Sequence, residues 1–555
     1  MVRNPVREAG ERPLSGTWLA AAALAATAVY AALAYIVVGQ PALIGIDDAA
    51  ITRNYAENIA NGHGFVYYVG GERVEGATSF LWTLVVALAY VVTPTPELLI
   101  VGICGALTTL AVFSLLSFTA LAARRLDLPQ RPAVGFALVG LAGLPGYFFW
   151  TVFTMMEVAL WSAVILLLVW RLARLVERPQ RWCLWVAVAA ALLPLIRPEG
   201  SALALGLLAL AVVLMRRIPR GILLAAAATV ASTAGIVGFR LAYFGYPFPN
   251  TFYAKVSSDR VQDMIEGAKY VFSFVTGFPF AEILLTLWAL AAIWALTRRW
   301  ARERGSGALV VGAATVFGVL GVYGALGGDH FAYWRFLEPI APLLVAPPAL
   351  ALAALSPAIR GAATPFARVA MAATALALWL GVSYGDYRQA RFKLQNEVSL
   401  VERGVEFGAL LNGFEPKPTL GVGAAGGIAL AYDGPILDLL GLNWVAMAHA
   451  NPVKTGMRNH ASFDKDTFWE HAPDLIGEFN RVCEGERFGV RDAADGVTKG
   501  LYLDAEFQAR FRPVRFLDEG RCWRGFADAD WLETADLSRI EVLEWAEVAI
   551  VQSLP

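Results

Sequence analysis

Hydrophobic residues fall into long runs over the first two thirds of the chain and give way to a mixed pattern after residue 384. A helix that crosses a bilayer needs about 20 apolar residues. Some runs are shorter than this, so broken or re-entrant helices are expected among them. The pattern predicts a polytopic α-helical membrane protein. The runs lie at 17–38, 79–93, 97–122, 132–150, 153–173, 182–196, 201–215, 221–243, 281–297, 307–326, 337–355 and 366–384.

Arginine clusters between the runs indicate the orientation. Because short basic loops stay in the cytoplasm, the clusters place the N-terminus inside and residues 39–78 and 385–555 outside the membrane. Residues 79–122 look like two helices but must cross an odd number of times, so about eleven spans are expected, with one of the two pieces interfacial or broken. The alternative keeps both pieces as spans and moves the arginine loop at 124–131 outside.

The region after residue 384 predicts a compact α/β domain, so the chain divides into a membrane domain, 1–384, and an extracytoplasmic domain, 385–555. Residues 418–432 have the pattern of a strand, a glycine turn and a strand or short helix. Residues 463–482 have a helical pattern with a proline break at Pro473, and 531–551 begin as helix and end as strand.

Composition supports a membrane protein, with 57% hydrophobic and 16% charged residues, against about 25% charged residues in soluble domains. The net charge of -1 gives no reason to expect a nucleic-acid partner. Cys483 and Cys522 fall in the outer domain, where a disulfide is permitted, and two buried free thiols are the alternative. Cys104 and Cys183 lie in apolar runs and are expected to be buried thiols.

A polar loop at 41–82 follows the first apolar run and carries two adjacent carboxylates, Asp47 and Asp48. Charged groups at the edge of a membrane are costly, so they usually have a function. Either aspartate can cap a helix, and an apolar residue recurs every four positions from Ile51. We therefore predict an amphipathic helix that lies on the bilayer and holds both aspartates at the interface. The alternative is that they only cap the helix and contact solvent.

Other polar residues fall beside apolar runs on the same predicted side. We expect them to share one cavity outside the membrane, and the alternative is that each is an interfacial anchor or a local ion pair. These residues are Arg53, Glu75, Glu157, Arg197, Glu199, Asn250, Lys255, Asp329, His330 and Arg335.

Several motifs in this order resemble those of bacterial GT-C glycosyltransferases. The motifs are DDAAITRNYAENIANGHGFVYYVGGERVEGATSFLW, LIRPEG, YFGYPFPNTFYAK, GGDHFAYWRFLEP and GAAGGIALAYDGPILDLLGL. Over about residues 40–440 the chain is similar to mycobacterial terminal β-(1→2)-arabinofuranosyltransferases and pilin arabinosyltransferases. The resemblance implies a GT-C-like membrane fold in the bacterial cytoplasmic membrane and transfer of a polyprenyl-phosphate-linked sugar outside it.

The resemblance also implies roles for single residues. Asp47 and Asp48 match the family's catalytic aspartate pair. The arginine of its RPEG motif, the lysine of its PNT motif and the charged pair of its GGD segment match Arg197, Lys255, Asp329 and Arg335. Where the family usually has a glycine before its glutamate, this chain has Met156 before Glu157.

The chemistry of such a transfer fits these residue types. The acceptor hydroxyl must lose a proton as it attacks, so one aspartate, by preference Asp47, acts as general base. The leaving lipid phosphate gains negative charge, which Arg197, Lys255 and Arg335 would stabilise. The expected partners are a polyprenyl-phosphate-linked arabinofuranose, a cell-envelope glycan or glycoprotein acceptor, and membrane lipid.

No cofactor is expected to be required. The alternative is a divalent cation held by Asp47, Asp48, Asp329 and His330, because carboxylates suit Mg²⁺ or Ca²⁺. Alternatives to the function also stay open. They are transfer of mannose or another polyprenyl-linked sugar, a transporter or flippase with charges along its path, and an assembly protein whose outer domain binds glycan.

Overall fold

The computed structural model describes residues 13–178, 184–256, 259–300, 306–362, 364–454, 463–481, 488–518 and 521–551. The apolar runs predicted from the sequence form helices over their described residues, and the runs at 132–150 and 337–355 each form two α-helices. The helices of this part are α1 (Gly16–Val38), α2 (Asp47–Ala60), α3 (Phe80–Val92), α4 (Glu97–Arg125), α5 (Gln130–Ala142), α6 (Pro145–Val152), α7 (Val158–Glu177), α8 (Leu184–Ile196), α9 (Gly200–Met215), α10 (Arg220–Tyr243), α11 (Asn250–Lys255), α12 (Arg260–Gly277), α13 (Ala281–Trp300), α14 (Gly307–Ala325), α15 (Ala341–Leu344), α16 (Ala346–Ala362) and α17 (Pro365–Leu411).

The helical part has the length and apolarity of a membrane-embedded protein. In the described part of the chain, eight helical segments are long and apolar enough to cross a membrane, or up to nine if α5 and α6 form one span with a 75° bend. Helices α3, α8 and α9 are apolar but shorter. At 1.5 Å per residue they fall short of a hydrocarbon core of about 30 Å. The predicted number of about eleven spans, which treats one of the two pieces of 79–122 as interfacial or broken, stays a prediction.

The last long helix joins the two parts of the chain. Helix α17 has 47 residues and continues through the predicted domain border at residue 385. Its first half is exposed and apolar, as expected for contact with lipid, whereas Phe407, Leu410 and Leu411 at its end are buried. Those three side chains belong to the same core as the sheet that follows.

The residues after α17 form a mixed sheet with short helices, which confirms the predicted α/β character. The six-stranded sheet has the order β2-β1-β3-β6-β5-β7, and β4 pairs with β8 separately. Strands β1, β2 and β3 are parallel, while β6 is antiparallel to β3 and β5. The strands are β1 (Leu420–Val422), β2 (Ile436–Asp438), β3 (Leu475–Arg481), β4 (Phe488–Arg491), β5 (Phe511–Asp518), β6 (Arg521–Asp528), β7 (Ile540–Val542) and β8 (Val548–Val551), and the helices are α18 (Gly426–Ala429), α19 (Val445–His449), α20 (Lys465–Glu470), α21 (Ala505–Arg510) and α22 (Ala529–Leu532).

Local predictions in this region had mixed outcomes. The strand, glycine turn and short helix predicted at 418–432 are confirmed as β1 and α18. The helical prediction for 463–482 is wrong after Pro473, where β3 begins at Leu475 and extends the sheet.

Cys104 is a buried free thiol, as predicted. Cys522 is disulfide-bonded, whereas Cys183 and Cys483 lie outside the described residues.

Candidate functional site

Helix α2 lies inside the protein, between the membrane helices and the sheet region. Nearly all of its residues are buried, including Arg53 and Asn58 on its polar faces. Ile51 and Tyr55 pack in one core with residues of the sheet. The apolar stripe that the sequence pattern assigned to the bilayer therefore packs against protein, so the prediction of a helix lying on the bilayer is wrong.

The two aspartates at the start of α2 have different surroundings. Neither carboxylate caps the helix, since Ile46 is the N-cap residue and makes no side-chain capping bond. The carboxylate of Asp47 accepts hydrogen bonds from the backbone N–H groups of Gly426 at 3.0 Å and Gly427 at 2.8 Å. Burial raises the pKa of Asp47 to about 6, against the opposing effect of these two hydrogen bonds. Asp47 thus attaches α18 to α2.

Asp48 instead lines a cavity of about 230 Å³ between α2, the membrane helices and α11. Five of the other predicted site residues line the same cavity, together with Gly76, Thr78, Phe248, Phe252, Tyr323 and Leu442. Those five are Glu157, Arg197, Glu199, Lys255 and Arg335. The three predicted cations therefore line one cavity, which agrees with their expected convergence. They meet beside Asp48, while Asp47 is not among the described residues that line the cavity.

Arg335 is the centre of a buried charge network. Its Nη1 donates to Asp48 Oδ2 at 2.7 Å, and its Nε and Nη2 donate to Asp329 at 2.8 and 3.1 Å. The ring of Phe331 lies 4.0 Å from the guanidinium carbon. Although burial opposes the effect, the Arg335 charge lowers the pKa of Asp329. Asp329 thus remains ionised and holds Arg335 against Asp48.

Arg197 forms a second charge network in the cavity lining. It donates to Glu157, and its Nε donates to Glu199 at 2.6 Å. Glu199 also accepts a hydrogen bond from Tyr323 at 2.9 Å, and the guanidinium carbon lies 4.4 Å from the ring centre of Phe336. The local pair of Arg197 and Glu199 that the sequence allowed is present. It coexists with the shared cavity, because Arg197 still lines it.

Lys255 differs from the two arginines. It ends α11, lines the cavity, and makes no ion pair with a carboxylate in the described part of the chain. Burial lowers the pKa of Lys255, and the nearby charge of Asp48 opposes this decrease. Of the three cations in the lining, Arg197 and Arg335 are paired with carboxylates, so Lys255 is the one that can bind an anion without first separating an ion pair.

Three other predicted residues bond to neighbouring elements and fix the helices around the cavity. Glu75 accepts two hydrogen bonds from Arg240, at 2.7 and 2.8 Å, and both side chains are buried. The amide of Asn250 donates to the backbone of Gly441 at 2.8 Å, which fixes the start of α11 against the sheet region. Arg53 pairs with Glu97 and donates to the Ile44 carbonyl at 2.9 Å. Arg53 therefore holds α2 against α4 and does not reach the cavity.

His330 and Asp329 line a second cavity, on the other side of the loop that carries Arg335. Burial lowers the pKa of His330, against the opposing charge of Asp329, so the imidazole is neutral near pH 7. Within the described residues, no group of three or more His, Cys, Asp and Glu side chains is placed to hold a metal ion. Asp47, turned towards Gly426, is not directed at Asp329.

Several residues of the site were missing from the sequence prediction. Arg240 lies inside an apolar run, and a charge in that position was a signal for a buried partner. Tyr323 gave no such signal, because tyrosines are common at the ends of membrane helices. Leu442 and Gly426 come from the sheet region and reach α2 only through the fold.

A comparison with models of known protein families finds no match for this chain, and neither does a comparison with curated proteins.

Proposed function

We propose that this protein is a membrane glycosyltransferase that uses a polyprenyl-phosphate-linked sugar as donor. The observation that carries the proposal is that Asp48 and three cations line one cavity at the ends of apolar helices. Such a cavity offers a base for an acceptor hydroxyl and cations for a lipid phosphate. The motif resemblance favours arabinofuranose as the sugar and a cell-envelope glycan or glycoprotein as acceptor, with mannose or another polyprenyl-linked sugar as the alternative.

Lys255 is the expected first contact of the donor phosphate. Arg197 and Arg335 are held by carboxylates on both walls, so their donors have fixed directions. A phosphate beside Lys255 would gain a charge-assisted hydrogen bond without first separating an ion pair. Phe248 and Phe252 line the same cavity, and Phe248 is 42% exposed. They offer an apolar exit for the isoprenoid chain towards the membrane.

Asp48 takes the role of general base in this proposal, in place of Asp47. The Asp48 side chain is 18% exposed, more than Glu157 at 6%, Glu199 at 12% or Asp329 at 5%. The acceptor oxygen attacks the anomeric carbon while its proton passes to Asp48. The bond between that carbon and the phosphate oxygen breaks, and the electron pair leaves with the polyprenyl phosphate. Lys255 and the arginines stabilise the charge that develops there.

The same proposal includes the orientation in the membrane. With α5 and α6 counted as one bent span, α8 and α9 counted as crossings and α3 as interfacial, the chain has about eleven spans. The arginine distribution then places the N-terminus in the cytoplasm, with the cavity and the sheet region on the outer face of the bacterial cytoplasmic membrane.

A donor panel tests the proposal. The purified full-length chain is incubated with polyprenyl-phosphate arabinofuranose, mannose and other sugars, and donor consumption is followed with and without an acceptor oligosaccharide. We expect consumption of one donor by the wild type and loss of that activity in Asp48→Asn. The matched control is Asp433→Asn, because the Asp433 side chain is 74% exposed and remote from the cavity lining. No consumption of any donor, or equal activity in both variants, would contradict the proposal.

A further inference from the structure

A cluster of arginines lies at the end of the helical bundle opposite the cavity. Helix α7 begins beside Glu157 in the cavity wall and ends at Glu177, about 30 Å away for its 20 residues. Arg125 Nε, at the end of α4, lies 3.9 Å from Glu177 Oε2. The backbone N–H of Ala308, at the start of α14, donates to Glu177 Oε1 at 3.3 Å. The ends of three helices therefore meet at the Glu177 carboxylate.

Positive charge exceeds negative charge around this junction. The charges of Arg178, Arg125 and Arg174 are close enough to act on Arg124. Among the described residues, four guanidinium groups thus lie near one another, and of these only Arg125 lies within 4 Å of a carboxylate, that of Glu177, which is 1% exposed. Because like charges repel, the junction gains stability if an anion lies among the arginines.

Hydrogen-bond donors at the junction are also left without partners. Within the described residues, the buried Nε and Nη2 of Arg125 have no hydrogen-bond partner. The hydroxyl of Ser306, the N-cap residue of α14, is buried and also unpartnered, and Ser306 is 2% exposed. Buried donors are normally satisfied in folded proteins. A ligand with several acceptor oxygens would satisfy the donors of Arg125, and it would lie at the positive end of a 19-residue helix.

The neighbouring residues indicate that this ligand comes from the membrane. One turn before Arg174, Trp170 packs edge-on against Phe113, and the Arg171 guanidinium carbon lies 3.9 Å from the Trp170 ring centre. Tryptophan beside arginine is typical of the level of the lipid headgroups. Arg174 is exposed there.

We propose that Arg124, Arg125, Arg174 and Arg178 bind the phosphate of an anionic membrane lipid. The oxygens of one phosphodiester would accept hydrogen bonds from Arg125 and offset the repulsion among the arginines. The site is separate from the cavity that contains Asp48 and does not depend on the function proposed for that cavity.

The test uses the full-length protein in lipid nanodiscs made from phosphatidylcholine with or without phosphatidylglycerol. Native mass spectrometry counts the lipid molecules that remain bound after the protein is released from the nanodisc. We expect the wild type to retain phosphatidylglycerol and the Arg124→Gln/Arg125→Gln variant to lose it, by about five-fold for each arginine replaced. Arg174→Gln alone should give part of this loss, and its exposed position protects the fold if the double variant is unstable.

The matched control is Arg216→Gln/Arg217→Gln, which removes two exposed arginines after α9. Retention of phosphatidylglycerol should be unchanged in this control. Equal retention in the wild type, Arg174→Gln and the double variant would overturn the proposal. A second arm adds millimolar inorganic phosphate to protein in phosphatidylcholine. If phosphate raises the midpoint of thermal unfolding as much as phosphatidylglycerol does, the site takes a soluble anion and the lipid assignment is wrong.

Discussion

Arg335 donates a hydrogen bond to Asp48 at 2.7 Å across 287 positions of the chain. This bond brings the start of α2 and the loop before α15 to the same cavity wall. Asp329 holds the other side of the guanidinium, so the Asp48 carboxylate has one fixed direction into the cavity. The predictions below follow from this arrangement and from the attachment of the sheet region to α2.

Replacing the two aspartates should separate their roles. We expect Asp48→Asn to abolish sugar transfer while the protein stays folded and binds donor, since the amide cannot accept the acceptor proton. Asp47→Asn should reduce activity through a looser contact between α2 and α18, because Gly426 and Gly427 bond to different carboxylate oxygens and the amide keeps only one acceptor oxygen. Donor binding, turnover and protease sensitivity of the sheet region distinguish the two. Full activity in Asp48→Asn would exclude it as the base.

Removing the charge of Lys255 should weaken donor binding more than it affects folding. A charge-assisted hydrogen bond contributes about 1.5–3 kcal/mol, so Lys255→Ala should bind a polyprenyl phosphate about ten- to a hundred-fold more weakly. Lys269→Ala is the control, because Lys269 is exposed on α12 and pairs with Glu266 of the same helix. Affinity is measured by fluorescence titration with a short-chain polyprenyl phosphate. Equal affinities for the two variants would remove Lys255 from the phosphate site.

Arg335→Gln should have a different effect from Lys255→Ala. It leaves Asp48 and Asp329 without their shared cation, and Asp329 is buried. Breaking a buried ion pair costs about 3–5 kcal/mol, so we expect a clear decrease in the thermal unfolding midpoint as well as loss of donor binding. An unchanged midpoint would mean that Asp329 takes up a proton or finds another partner.

The close contact between α18 and α2 should not tolerate a larger residue at position 426. A Cβ atom on Gly426 would lie 1.9 Å from the carbonyl oxygen of Asp47, whereas a Cβ atom on Gly423 would meet nothing within 4 Å. Gly426→Ala should therefore separate α18 from α2 and reduce both stability and turnover. Gly423→Ala should behave like the wild type. Protection of the α2 amides from hydrogen exchange measures the difference, and equal protection in both variants would contradict the contact.

Asp47 should make stability depend on pH in a defined window. Its pKa rises from 3.8 to about 6 on folding, because burial disfavours the charge. The folded state therefore binds this proton more tightly than the unfolded chain, and its contribution to stability decreases as pH rises from about 4 to about 6. As pH rises across this window, the unfolding midpoint of the wild type should fall relative to that of Asp47→Asn. A constant difference would show that Asp47 does not titrate there.

Metal dependence remains a prediction from the sequence. We expect turnover to persist after exhaustive chelation, since the proposed chemistry uses Lys255 and two arginines to offset the charge of a monophosphate. The measurement is donor consumption before and after treatment with EDTA, followed by addition of Mg²⁺, Mn²⁺ or Ca²⁺. Complete loss that one of these ions restores would assign Asp48 or Asp329 as a ligand.

The sequence by itself determined the helices and most members of the cavity. Apolar runs become helices wherever they occur, because a backbone in lipid must satisfy its own hydrogen bonds. Charges next to those runs were identifiable for the same reason, since a charge near hydrocarbon needs a partner. Arg197, Lys255 and Arg335 were therefore expected to share a site before their positions in space were known.

Only the tertiary structure decided which aspartate faces the cavity and what covers α2. Asp47 and Asp48 are adjacent on a helix, so they project about 100° apart, and the sequence pattern of α2 fits burial of either side. The choice depends on Gly426 and Gly427, which approach Asp47 closely because they lack side chains. The direction of the Arg53 side chain also depends on tertiary packing, because its partner Glu97 lies on another helix. Partners distant along the chain leave no periodic signal in the sequence. The sheet region binds Asp47 through Gly426 and Gly427, and Asp48, on the neighbouring side of α2, therefore lies in the cavity wall.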